Sequence, residues 1–136
     1  MKPRGTRVAA LFAAAVCTLA VGFALTAQPP PSIKRTVVFK TDMAIPDREG
    51  IMVMVDLPVG SAEGKHTHMA EVFAFVLEGT VSLENEGSPK TTLKAGDTFH
   101  IAPGKIHEAV NTGTVPAKLA VVFVAEKGKP LTTPVK

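Results

Sequence analysis

Residues two apart on an extended chain project to the same face, so His66 and His68 present two imidazole nitrogens to one point. Glu71 follows three residues later. About 40 residues further on, His107 comes after a Pro103-Gly104 pair suited to a tight turn, which would bring the following strand back near the first pair. Three imidazoles and a carboxylate form a borderline donor set for Fe, Mn, Ni, Cu, Co or Zn, with positions left open for water or substrate. A His-x-His pair taken alone is weak evidence, since such pairs also occur on ordinary exposed strands.

Other chemistries are poorly provided for. The single cysteine, Cys17, lies in an N-terminal apolar run, and Trp and Tyr are absent, so the rest of the chain has no thiolate, disulfide or tyrosine acid. No Ser-His-Asp arrangement is visible, which leaves a metal as the one strong candidate for chemistry. Arg35 and Arg48 are the only arginines past residue 7, and neither lies near the histidine clusters in sequence. A bidentate clamp for phosphate or a nucleotide sugar is therefore not expected. The fourth histidine, His100, alternates with Phe99 and Ile101 and is expected on the opposite face, at the surface. Glu108 should point away from its neighbour His107, and Lys65 and Lys105 are turn lysines of ordinary type. Met52, Met54 and Phe123 are expected to pack, while Met69, Phe73, Phe75 and Phe99 are candidates for the substrate pocket.

The elements that must position these groups are short. Lys2, Arg4 and Arg7 precede an uncharged, Ala- and Leu-rich run from Val8 to Ala27, the pattern of an export signal peptide at 1–27, or of an uncleaved anchor. All of the chain's +3 net charge sits on those three residues. The remainder is neutral, which argues against nucleic acid as a partner. The expected location is periplasmic or secreted, with membrane contact only through an uncleaved leader. A Pro-rich linker is expected at 28–34, one domain at 35–126 and a tail at 127–136. Within the domain, β-type runs are cut by Gly, Pro and Asp: Arg35–Lys40, Gly50–Leu57, Val72–Glu78, Thr80–Glu84, Thr91–Lys94, Thr98–Ala102, Ile106–Asn111 and Ala117–Ala125. Eight short strands at this spacing predict an all-β sandwich or barrel. Gly50–Leu57 and Ala117–Ala125 are apolar on both alternating faces, which a homodimer would explain economically.

Gly60, His66-Thr67-His68, Glu71 and Gly79, followed by Gly96, Pro103-Gly104, His107 and Asn111, resemble the two signature motifs of the cupin superfamily. The resemblance runs from about Val37 to Val124. It implies a double-stranded β-helix, or jelly-roll, with one divalent metal ion (Fe, Mn, Ni, Cu or Zn) held by residues matching His66, His68, Glu71 and His107. Two departures stand out. Ala102 replaces the usual proline of the second motif, and only Met69 and Ala70 separate His68 from Glu71, where the family usually has three or four residues. Strict alternation from His68 puts Val72 inward and Glu71 outward, and an irregular turn at Met69-Ala70 would be needed to bring Glu71 in. The alternative is a three-histidine site completed by water. The resemblance to small quercetin-dioxygenase-like proteins implies a metal-dependent oxidoreductase acting on a small, weakly charged substrate, with Glu71 as ligand or base. A non-catalytic binding protein and a zinc-type hydrolase or lyase are the other two readings.

Overall fold

A computed structural model describes Pro29 and residues 31–136. The expected signal segment at 1–27, with Cys17, and the start of the linker lie outside the described residues. Among the described residues there are ten strands and no helix. They are β1 (Lys34–Asp42), β2 (Arg48–Leu57), β3 (His66–Thr67), β4 (Ala70–Glu78), β5 (Thr80–Asn85), β6 (Thr91–Lys94), β7 (Thr98–Ile101), β8 (His107–Val110), β9 (Ala117–Glu126) and β10 (Thr133–Pro134). Two five-stranded antiparallel sheets result, ordered β1-β2-β9-β4-β7 and β10-β3-β8-β5-β6. The expected all-β double-stranded β-helix is the fold.

Strand alternation builds the interior. In β9 every second residue is buried, from Ala117 through Leu119, Val121 and Phe123 to Ala125, while the residues between them are half-exposed. β2 contributes Val53, Val55 and Leu57, and β4 contributes Val72, Ala74 and Val76, on the same inner face. Val81, Leu83 and Leu93 close the core from the second sheet. Each valine, leucine or phenylalanine among these, moved from water to this interior, contributes about 1.5–3 kcal/mol. Met52, Phe73, Phe75 and Leu77 point the other way and leave the outer face of the first sheet apolar and exposed. No second layer covers that face among the described residues. At Gly79 the chain turns from β4 to β5 with φ 76°, and an added Cβ would lie 2.7 Å from the Pro116 carbonyl oxygen. Both facts require glycine there.

Residues 127–136, expected as a tail, are exposed apart from Leu131 but touch the barrel at two places. Leu131 packs against the core, and β10 pairs with β3 through Thr133 to Thr67 and Pro134 to His66. A two-residue strand carries too little periodicity to register in a sequence. Asn111 fastens the loops at the end of β2. Its Nδ2 donates to the Leu57 and Val115 carbonyls, both at 2.9 Å, and its Oδ1 accepts the Gly113 N–H at 2.9 Å. Asn111 is 1 % exposed, so water cannot replace these bonds. Asn111→Ala is expected to destabilise the fold by about 2–4 kcal/mol, the size expected for several buried groups left unpaired. Denaturant unfolding of the two proteins checks this.

Candidate metal centre

β3 and β8 meet at a single pair, His66 opposite His107. His68 lies just past β3, and its carbonyl accepts the N–H of Gly104 at 2.8 Å. The Pro103-Gly104 turn is thus bonded to the first histidine cluster before the chain re-enters the sheet at His107. All three histidines are buried, with ring centroids 4.3 to 4.9 Å apart.

The second nitrogen of each ring is fixed by the backbone. Nδ1 of His66 faces the Gly64 carbonyl at 2.7 Å, that of His68 the Leu131 carbonyl at 2.8 Å, and that of His107 the Lys105 carbonyl at 3.0 Å. A carbonyl only accepts, so each Nδ1 carries the proton and each Nε2 keeps its lone pair. The Nε2 atoms of His66 and His68 then face each other at 3.2 Å with no proton to share. A cation relieves that opposition. Metal–nitrogen bonds of about 2.1 Å at octahedral to tetrahedral angles give nitrogen separations of roughly 3.0–3.4 Å. Ligand atoms of His66, His68 and His107 all lie within 4.8 Å of one another. The donor set fits one divalent transition metal, and backbone carbonyls on Nδ1 are the usual support for imidazole ligands.

Electrostatics favours the ligand form. Burial pushes the His68 imidazole from 6.5 down to about 4, and neighbouring His66, His107 and Arg35 add to the shift against the Leu131 carbonyl. Burial likewise lowers His107, against the Lys105 carbonyl and Glu63. Both rings are therefore neutral at neutral pH and need release no proton to a metal.

Glu71 is not part of this cluster, which corrects the four-ligand expectation. β4 alternates from Ala70, with its register shift only later at Val76/Glu78, so Ala70 and Val72 face inward and Glu71 faces out. Its Oε2 accepts from His100 Nε2 at 2.6 Å on the outer surface, where Phe73 stacks obliquely against the same imidazole. Alternation also removes Phe73 and Phe75 from the pocket, since both lie on the outer face, and Met69 is exposed. Phe99 does line the interior. A cavity of about 240 Å³ lies inside the barrel, with His68 and His107 in its wall. Val53, Val55, Val121, Phe99 and Phe123 supply much of the rest.

Two residues of this wall have no signal in the motifs. Arg35, set aside as remote from the histidines, pairs with Val55 in the register of β1 and β2 and so faces inward. Its Nη2 donates to Glu63 Oε1 at 3.0 Å, and Glu63 lines the same cavity. Glu63 precedes the His-x-His pair by three residues in an irregular segment, where period-2 counting has no purchase. Glu108, expected in solvent, accepts the Gly64 N–H at 3.1 Å and so steadies the turn whose carbonyl holds His66.

A family model described as Cupin domain matches residues 53–123, just over half of the chain. The chain belongs to the cupin family. No curated protein matches it. Among solved structures, a double-stranded β-helix protein from Klebsiella pneumoniae is 24% identical with a TM-score of 0.64, covering 78% of this chain and 89% of that one. An oxalate oxidase is 26% identical with a TM-score of 0.58, over 63% of this cupin and 46% of its own length. A DMSP lyase from Ruegeria pomeroyi is 26% identical with a TM-score of 0.56, over 63% and 43%. The chain thus spans less than half the length of both enzymes.

The depressed imidazoles set a pH dependence. An unfolded His68 takes up a proton near 6.5 while the folded one resists until about 4, so stability held above 6.5 is lost as pH falls through that window. His107 acts in the same direction. Metal-free protein is expected to melt at progressively lower temperature from pH 7 to 4.5, and His68→Leu to flatten that slope in thermal unfolding.

Proposed function

We propose that this cupin is an exported, metal-dependent oxidoreductase acting on a small, weakly charged organic substrate. The observation that carries the reading is the three-histidine Nε2 cluster opening on an apolar cavity with no protein carboxylate among the donors. Three protein ligands leave coordination positions for substrate and dioxygen, and a bound redox metal would supply the one-electron chemistry that this chain's side chains lack. The chain's own part is to hold three neutral imidazoles in place and to keep the substrate's apolar body from water. Likeness to an oxalate oxidase supports oxidation, while likeness to a DMSP lyase favours a second reading, metal-assisted elimination without oxygen.

Oxygen uptake separates the two. The protein reconstituted in turn with Fe, Mn, Ni, Cu and Zn is offered a panel of enols, phenols and small carboxylic acids. Uptake with one redox metal is expected, falling at least about 100-fold in His66→Ala/His68→Ala. Product without uptake supports the lyase, and ligand retained without turnover supports a binding protein.

Export rests on residues 1–27, and a homodimer on the apolar outer face formed by Met52, Phe73, Phe75 and Leu77. A second copy of the same face would cover it, with Glu71 already hydrogen-bonded to His100 and Asp56 paired with Lys118 within the chain. Protein recovered from the periplasm is expected to have an intact mass beginning at Gln28 and to sediment at twice that mass. Phe73→Asp/Phe75→Lys is expected to sediment as a monomer.

A further inference from the structure

The cavity has an apolar wall interrupted by very few charges. Besides the two histidines, the ionisable groups lining it are Arg35 and Glu63, which are paired with each other. The same two residues also line a neighbouring open cleft with Lys65, His66 and Thr132, so the pair stands between the cleft and the barrel interior. The partners are unequally hydrated: the Glu63 side chain is 11% exposed and that of Arg35 is 49%. Arg35 is also under-used. Among the described residues only Nη2 is engaged, at one carboxylate oxygen, although a guanidinium is a planar fork that binds both oxygens of a carboxylate at once.

We propose that Arg35 is the anion anchor of this cavity and that its ligand is a small monocarboxylate with an apolar, aromatic or branched body. Glu63 occupies the anchor when the ligand is absent and is displaced by the ligand's carboxylate. The size fits, because about 240 Å³ lies below the roughly 300–1,000 Å³ of sites for drug-sized molecules. The charge fits as well: one cation, half in water, offers a bidentate contact at the edge of an apolar chamber. Without a metal on the histidines, a phosphate dianion or a dicarboxylate would bring a second charge against valine and phenylalanine side chains, since Lys65 lines only the outer cleft. The proposal names the substrate class of the oxidoreductase reading and rests on that reading only for its use in catalysis. Carboxylate binding itself needs no metal.

Calorimetric titration with benzoate and with its neutral isostere benzamide tests this, on EDTA-treated protein and on protein reloaded with Mn(II). Benzoate is expected to bind both forms, and benzamide at least about tenfold more weakly, the loss expected for a charge-assisted bidentate contact. Arg35→Gln should weaken benzoate at least about tenfold and leave benzamide unchanged. Glu63→Gln should tighten benzoate, because it removes the internal competitor. A purely structural ion pair predicts no such opposition of sign. Equal affinity for the two probes, no binding of benzoate, indifference of benzoate to Arg35→Gln, or weaker benzoate binding in Glu63→Gln would each overturn the proposal. If protein reloaded in turn with Fe, Mn, Ni and Cu shows no oxygen uptake while the EDTA-treated protein follows the expected pattern, the oxidoreductase reading fails and the anion site stands.

Discussion

Three imidazole lone pairs are held facing one another inside an apolar barrel, and that opposition has to be maintained by groups outside the rings. The carbonyls of Gly64, Lys105 and Leu131 do this by claiming each Nδ1 proton. A tautomer switch would swap Nε2 from acceptor to donor and leave a carbonyl facing an unprotonated nitrogen, so the backbone holds the rings in one state. Each of the three carbonyls is held in turn: Gly64 by Glu108, Lys105 by the turn bonded to His68, and Leu131 by packing on the core. The geometry of the three-histidine cluster thus rests on hydrogen bonds made well behind the Nε2 atoms.

The two sheets serve that arrangement unequally. The first sheet carries long strands with a regular inner face and forms a stiff wall of valines. The second is made of short pieces, and it carries both His66 and His107 on strands of two and four residues. Short strands suit a site because neighbouring turns can aim each side chain separately. The Asn111 network at the end of β2 keeps those turns from drifting, since it ties the 57–61 and 111–115 segments together by bonds to backbone atoms.

Much of this was legible from residue spacing. The period-2 runs gave the main strands within a few residues, and His66, His68 and His107 stood out because two were two apart and the third followed a Pro-Gly turn. Alternation also placed Glu71 on the outer face, and the structure follows alternation rather than the family's usual carboxylate. What spacing could not convey was register between strands distant in sequence. Arg35 reaches the cavity because β1 pairs with β2 so that Arg35 lies beside Val55, and no local pattern encodes that pairing. Glu63 and Leu131 escaped notice for a related reason, since both act from irregular segments brought to the site by the fold. Phe73 and Phe75 had the right chemistry for a pocket and the wrong parity for it.

The reach from His68 to Leu131 spans 63 residues, and it sets an order of events during synthesis. His66 and His68 emerge together, His107 follows, and the carbonyl that orients His68 arrives only after both. Until then the His68 ring lacks the carbonyl that fixes its orientation in the folded chain. The three-ring arrangement is complete only once β10 has docked on β3, so an ion held by it would be chosen wherever the chain completes its folding.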